Sequence, residues 1–177
     1  YWGHKPEHEQ SFLLSENVLT EQWVVLHRAA LKVDWKKPGD LAPYTFGAIK
    51  TYTYTPEFHA LFASGKLKVD WSPDDIATLR KLAAGRVDVV LLDRNVACYL
   101  IDQHLTAGEA QTIRAHPKLM TENFSTHLML PKALPQSAAR LEAFNKGLAA
   151  LKASGEYRRL LESTDCAAGL AIPQKPR

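Results

Sequence analysis

The stretch Gly85-Arg86-Val87-Asp88-Val89-Val90-Leu91-Leu92-Asp93 constrains this chain more than any other. A helical stripe of Ile76, Leu79, Leu82 and Ala83 runs into a Gly-Arg turn, then a short apolar strand that ends in an acid. An unbroken apolar run of this length suits a strand covered on both faces, as in a parallel α/β sheet. In such sheets ligands bind just beyond the carboxyl ends of strands. Asp93 stands either where a ligand's cationic group would be met or as the N-cap of a helix starting near Asn95. Asp88 and Asp93 fall on opposite faces and opposite ends of the strand, so they do not form an acid–base pair.

Three more segments read as buried strands: Trp23–His27, Thr45–Lys50 and Thr126–Leu130, with Leu67–Val69 as a weaker one. Helices lie between them. Thr55-Pro56 gives an N-cap followed by proline at the first helical position, with Phe58, Leu61 and Phe62 on one face and Gly65 as the stop. Ser72-Pro73-Asp74-Asp75 repeats that start and adds acids that suit the helix dipole. Asn95–Leu105 and Ser137–Ser154 are the other helices, the last ended by Gly155. Alternating strands and helices over 45–105 predict a doubly wound α/β unit with right-handed crossovers. Val33–Pro43 and Thr106–Asn123 are polar and read as connections. The flanking pieces, 1–28 and 124–177, are each too small for a core and together suit a second α/β lobe.

Composition narrows the function classes. Of 177 residues, 46% are hydrophobic and 23% charged, which is globular and argues against disorder. The net charge of +3 is spread along the chain without a basic run, so no nucleic-acid footprint is present. No apolar stretch approaches the roughly 18 residues of a membrane span, so membrane insertion is not expected. The first residue is Tyr1, which is compatible with a removed export signal. Cys98 sits at an apolar helical position and Cys166 in a Gly/Ala-rich tail; the sequence leaves open whether they are bonded. His4 and His8 share a metal-compatible spacing, but Pro6 between them disfavours a metal site. Neither a nucleophile elbow nor a glycine-rich phosphate loop is present, and no cofactor is implied.

Several motifs in order resemble the type 2 periplasmic solute-binding proteins, in particular the polar amino-acid-binding family. Lys5–Glu9 and Phe12-Leu13-Leu14-Ser15-Glu16 look like the end of that family's first lobe. Trp23–Arg28 resembles its first hinge strand. Asp40-Leu41 followed by Thr45–Tyr54 resembles the strand and ligand-binding turn of its second lobe, and Leu79–Asp93 its Gly-Arg-x-Asp signature. Ser125–Pro131 is similar to the returning hinge strand, and Leu141–Tyr157 to the closing helix. The resemblance implies a two-lobed periplasmic-binding-protein-like II fold, with doubly wound sheets joined by two hinge strands. Residues 1–28 would be the end of lobe 1 and the first hinge, 29–123 lobe 2, and 124–177 the second hinge strand with the C-terminal helices of lobe 1. The family's opening strand and helix have no counterpart here, so lobe 1 would be incomplete. Its uncovered apolar surface would call for a missing N-terminal segment or a swapped dimer.

The same resemblance implies a site. Thr51, Thr53 and Tyr54 would serve it from the turn before the Pro56 helix, Thr53 standing at the family's ligand-contacting Thr. Unaided by the resemblance, Thr53 reads as spacer beside a capping Thr55. Tyr52 and Tyr54 would stack on a ligand or pack at the strand end. Asp93 would meet the ligand amine, with Arg94 pairing with it or lying solvated. His8 stands where the family has the Arg that clamps a ligand carboxylate. An imidazole gives one charge-assisted bond in place of a bidentate fork. The function implied is an extracytoplasmic, periplasmic capture protein for an amino acid or related small polar ligand, without catalysis, serving an ABC-type permease or a sensor. The alternative is an enzyme on the same fold, a dehydratase or murein lyase, with His8 as its acid–base group.

Overall fold

The computed structural model describes residues 2–3, 8–52 and 54–162. In chain order the elements begin with β1 (Trp2–Gly3), α1 (His8–Ser11), β2 (Phe12–Leu14) and β3 (Leu19–Arg28). The middle of the chain forms β4 (Thr45–Ile49), α2 (Pro56–Ala63), β5 (Lys68–Ser72), α3 (Asp75–Ala83), β6 (Val89–Asp93) and α4 (Arg94–His104). It closes with α5 (Ala107–Gln111), β7 (Ile113–His127), β8 (Met129–Pro131), α6 (Ser137–Ala153) and α7 (Glu156–Glu162). This is a mixed α/β chain in two compact units. The described residues up to Gln22 and from Thr121 form one; Trp23–Met120 form the other. The chain passes between them within β3 and within β7.

The middle unit is built on a twisted sheet in which β7, β3, β6, β4 and β5 are successive neighbours. β4 runs parallel to both β5 and β6, while β3 runs antiparallel to β6. Strand alternation covers both faces. Phe46 packs against Phe58 and Phe62 of α2, with ring centroids 5.5 and 5.6 Å away. Its neighbour Gly47 points the other way, towards Thr78 of α3 and Val90. That second face holds the main core: Val24 and Leu26 of β3, Leu79 and Leu82 of α3, Val90 and Leu92 of β6, and Ile101 of α4. Each fully buried side chain of this size contributes about 1.5–3 kcal/mol. α3 starts two residues later than the Ser72-Pro73 pattern predicts: Ser72 ends β5, and Asp74, read as a first-turn acid, is the N-cap, accepting from the amide of Ala77 at 2.7 Å. It stops at Gly85, whose φ of +73° an L side chain rarely adopts. Thr55 takes the N-cap backbone position of α2 but makes no side-chain cap bond.

Thr106–Asn123, polar enough to read as a connection, is ordered structure. Thr106 and Glu109 form a reciprocal capping box that starts α5, and β7 begins at Ile113, which is 1% exposed. Most of the residues that follow Ile113 in β7 are only half-buried, which is why composition hides the strand. Val33–Pro43 likewise buries Val33, Trp35 and Leu41. Cys98 is 1% exposed and disulfide-bonded; Cys166 lies outside the described residues.

In the other unit β2 pairs antiparallel with β8, Leu13 opposite Leu130, and α6 packs across both. β1 pairs with the end of β7, Trp2 opposite His127. The Ser15 hydroxyl accepts from the amide of Leu128 at 2.9 Å, and Tyr157 of α7 donates to the carbonyl of Val18 at 2.7 Å. No helix among the described residues is long and apolar enough to cross a membrane.

Candidate ligand-binding site

The carboxyl ends of β4 and β6 lead into the middle unit's candidate site. β6 ends at Asp93, which is 4% exposed and caps α4. One carboxylate oxygen, Oδ1, accepts from the amides of Asn95 at 2.9 Å and Val96 at 3.0 Å. Of the two roles weighed for Asp93, the structure shows the N-cap, made through Oδ1. Arg94, the next residue, is half-buried, and its Nε is enclosed without a hydrogen-bond partner.

After β4 the chain turns, the amide of Tyr52 donating to the carbonyl of Ile49 at 3.2 Å. Thr51 is exposed on this turn, and Thr53 lies outside the described residues, as do Lys5–Glu7 and His4. Tyr54 is 5% exposed and turned inward, its hydroxyl accepting from the amide of Ile49 at 2.9 Å. Burial pushes its phenol up to about 12, so it stays neutral. Tyr52 is half-buried and donates its hydroxyl to Asp75 Oδ2 at the start of α3. Asp75 Oδ1 is enclosed and accepts nothing. Burial, with Asp74 next to it, raises the Asp75 carboxyl above its ordinary value, while the Tyr52 hydrogen bond pulls it back down.

Trp23 joins the two strand ends. It lies opposite Asp93 in the β3–β6 register, and its ring stands edge-on to Tyr52 at 6.1 Å and to Tyr54 at 6.2 Å. Such edge-to-face pairs fix ring orientation. The structure thus brings together Tyr52, Tyr54 and Asp93 through Trp23, with Thr51 on the adjoining turn and Arg94 opening α4. Sequence reasoning passed over Trp23 and Asp75. Trp23 opens the segment that reads as a strand from its sequence, and Asp75 is the second acid of a helix start that needs one. Both were visible as patterns but had structural explanations. An acid-backed aromatic cluster at strand ends can receive a cation or a polar group with an apolar body.

His8 belongs to the other unit, in α1, with Nδ1 enclosed and unpartnered. That unit has its own cavity of about 530 Å³, lined by Phe12, Ser15, Ser125, His127 and Lys132 among others. His127 Nδ1 meets the Ser15 carbonyl at 2.7 Å, which sets the tautomer whose Nε2 accepts from the Ser125 hydroxyl at 3.0 Å.

Solved structures give the comparison. An ancestral arginine-binding protein bound to arginine aligns with 92% of this chain and 68% of its own length, with a TM-score of 0.73 at 19% identity. The fold is that of the amino-acid substrate-binding proteins. A periplasmic binding protein of a Legionella pneumophila arginine transport system covers 93% of this chain and 70% of its own, at TM-score 0.68 and 18% identity. An amino acid ABC transporter substrate-binding protein from Streptococcus pneumoniae, bound to L-arginine, covers 92% and 64%, at 0.71 and 20%. The chain spans about two thirds of the length of these proteins. No protein-family profile and no curated protein matches it.

Proposed function

We propose that this chain belongs to an extracytoplasmic solute-binding protein that captures an amino acid or related small polar ligand for ABC-type uptake or sensing. The observation that carries this reading is the convergence of Trp23, Tyr52 and Asp93 at the carboxyl ends of β4 and β6. In this fold class that is where ligands bind. Its fold neighbours include proteins solved with arginine and with glutamine. In this reading Asp93 meets the ligand ammonium, Thr51 and Thr53 supply hydroxyls, and Arg94 and Tyr54 support the rim. Trp23–Met120 correspond to lobe 2, and β3 and β7 act as the hinges about which binding shifts an open–closed equilibrium. No catalytic residue is assigned.

An oxidising compartment outside the cytoplasm agrees with the disulfide at Cys98. The first unit carries an apolar groove of about 460 Å³, lined by Val18, Leu19, Phe144, Leu148, Leu151 and Tyr157 among others. A further polypeptide segment or a second copy of the chain seated there would bury it. A dimer in light scattering would assign that cover to a second copy.

Calorimetric titration of the full chain with L-arginine, L-glutamine, L-cystine and glutathione tests the reading. Saturable uptake of at least one with one-to-one stoichiometry is expected. Absence of heat and of any melting shift with all four would overturn it.

A further inference from the structure

We propose that Tyr52, backed by Asp75, is the platform for a cationic ligand side chain, and that Asp75 determines the preference for cationic over neutral amino acids. The inference rests on the proposed function, and it names a ligand class that the reading above leaves open. The Tyr52 hydroxyl donates to Asp75 Oδ2, and the other carboxylate oxygen is enclosed with no donor. Asp75 therefore directs its charge onto one group, the phenol of Tyr52. A phenol that donates to a carboxylate gains electron density in its ring, and the ring face then attracts cations more strongly. The ring is held in place by the edge of Trp23 and by Tyr54, 6.3 Å away. Tyr52 is half-buried, so its neighbours orient it without enclosing it.

The two acids then have separate tasks. Asp93 caps α4 and faces the ammonium that every amino acid carries, so it cannot distinguish a cationic side chain from a neutral one. Asp75 acts through Tyr52 and is a positioning and polarising residue. Besides Tyr52, the titratable groups facing it are Asp74 beside it on the α3 start and Tyr54, which is neutral across the working range. Platform strength should follow Asp75 ionisation, growing as pH rises through a carboxyl value that burial has raised.

The test is calorimetric titration of the full chain with L-arginine and L-glutamine, in wild type, D75N, Y52F and the double variant, with melting curves beside each. Asn keeps the shape and an acceptor for Tyr52, and Phe removes only the hydroxyl. Each single variant is expected to weaken L-arginine roughly tenfold and to leave L-glutamine within about twofold. The double variant should be no weaker than either single one, because both break one link. In wild type the ratio of L-arginine to L-glutamine affinity should rise from pH 4 to pH 7, because the groups that meet the shared amino-acid part act on both probes, and in D75N that ratio should stay flat. Unchanged L-arginine affinity in D75N, or equal loss for both probes, would overturn the platform while leaving the capture function standing. A wild type that takes up neither probe in this assay would overturn the platform, and the four-compound titration separately decides the capture function.

Discussion

Arg28 donates from Nη2 to Asp88 Oδ1 at 2.6 Å, joining the end of β3 to the residue just ahead of β6. The other oxygen of Asp88 accepts the amide of Thr45 at 2.9 Å, where β4 begins. Arg28 also lies over Gly85, where an added Cβ would meet its Nη1 at 3.2 Å. The Gly-Arg-x-Asp signature thus has a structural cause at each end: glycine for a positive φ beneath a guanidinium, and the acid to hold three strands in register. This end of the sheet lies at the opposite end of β6 from Asp93.

Asp88→Ala should therefore destabilise without touching the site. It leaves the Thr45 amide and a partly buried guanidinium, whose Nε already lacks a partner, without their acceptor. The loss is expected at about 1–3 kcal/mol in urea unfolding, with L-arginine affinity unchanged at temperatures where the protein is folded. A stability within about 0.5 kcal/mol of wild type would show the contact to be solvated decoration.

Gly47 is the second structural pivot. A Cβ there would sit 3.0 Å from Thr78 Cγ2 and 3.1 Å from Val87 Cγ2 and Val90 Cγ2. In an open strand Gly→Ala stabilises; here α3, Val87 and β6 leave no room. Gly47→Ala is expected to cost about 1–3 kcal/mol by overpacking, and Gly47→Ala with Val90→Ala should recover part of it. A raised melting temperature in the single variant would refute this account of the α3 interface.

Much of this fold is legible in the sequence because helix starts and stops depend on local chemistry. Pro56, Asp74, Gly85 and Gly155 mark boundaries that the structure keeps within a residue or two. β4 and β6 were equally plain, since strands buried on both faces read as unbroken apolar runs. β7 was hidden as far as Ser125, because pairing, which local composition does not encode, makes a strand of mostly half-buried residues; only its end falls in the Thr126–Leu130 segment that reads as a strand. The site was legible only as a place. The end of β6 pointed to Asp93, but Tyr54's inward turn and Tyr52's bond to Asp75 depend on a turn and a helix brought together by the sheet.

Asp93 is tested by comparing Asn with Ala. Asn at an N-cap replaces Asp well, so Asp93→Asn should melt near wild type, while Asp93→Ala costs about 0.5–2 kcal/mol. If Asp93 also meets a ligand ammonium, Asp93→Asn lowers affinity for L-arginine and L-glutamine alike, by about ten- to a hundredfold. Wild-type affinity in Asp93→Asn, with lost stability in Asp93→Ala, would leave it a cap alone.

The raised Asp75 carboxyl also makes stability depend on pH, with a definite sign. In the unfolded chain it titrates near the ordinary value of 3.8, and in the folded protein higher, chiefly because burial disfavours its charge. The folded state then binds the proton more tightly, so this group's contribution is fully present below 3.8 and is lost as pH rises through the folded value. Asp75→Asn removes the titration while keeping an acceptor for Tyr52. The difference in unfolding free energy, wild type minus Asp75→Asn, should therefore fall as pH rises from about 3.8 and level off above the folded value. Asp74→Asn, which removes a neighbouring charge but not the burial, should lessen that slope and keep its sign. A difference that stays flat, or rises with pH, would mean that Asp75 is ionised as readily in the folded protein as in the unfolded chain, and that the Tyr52 hydrogen bond outweighs burial.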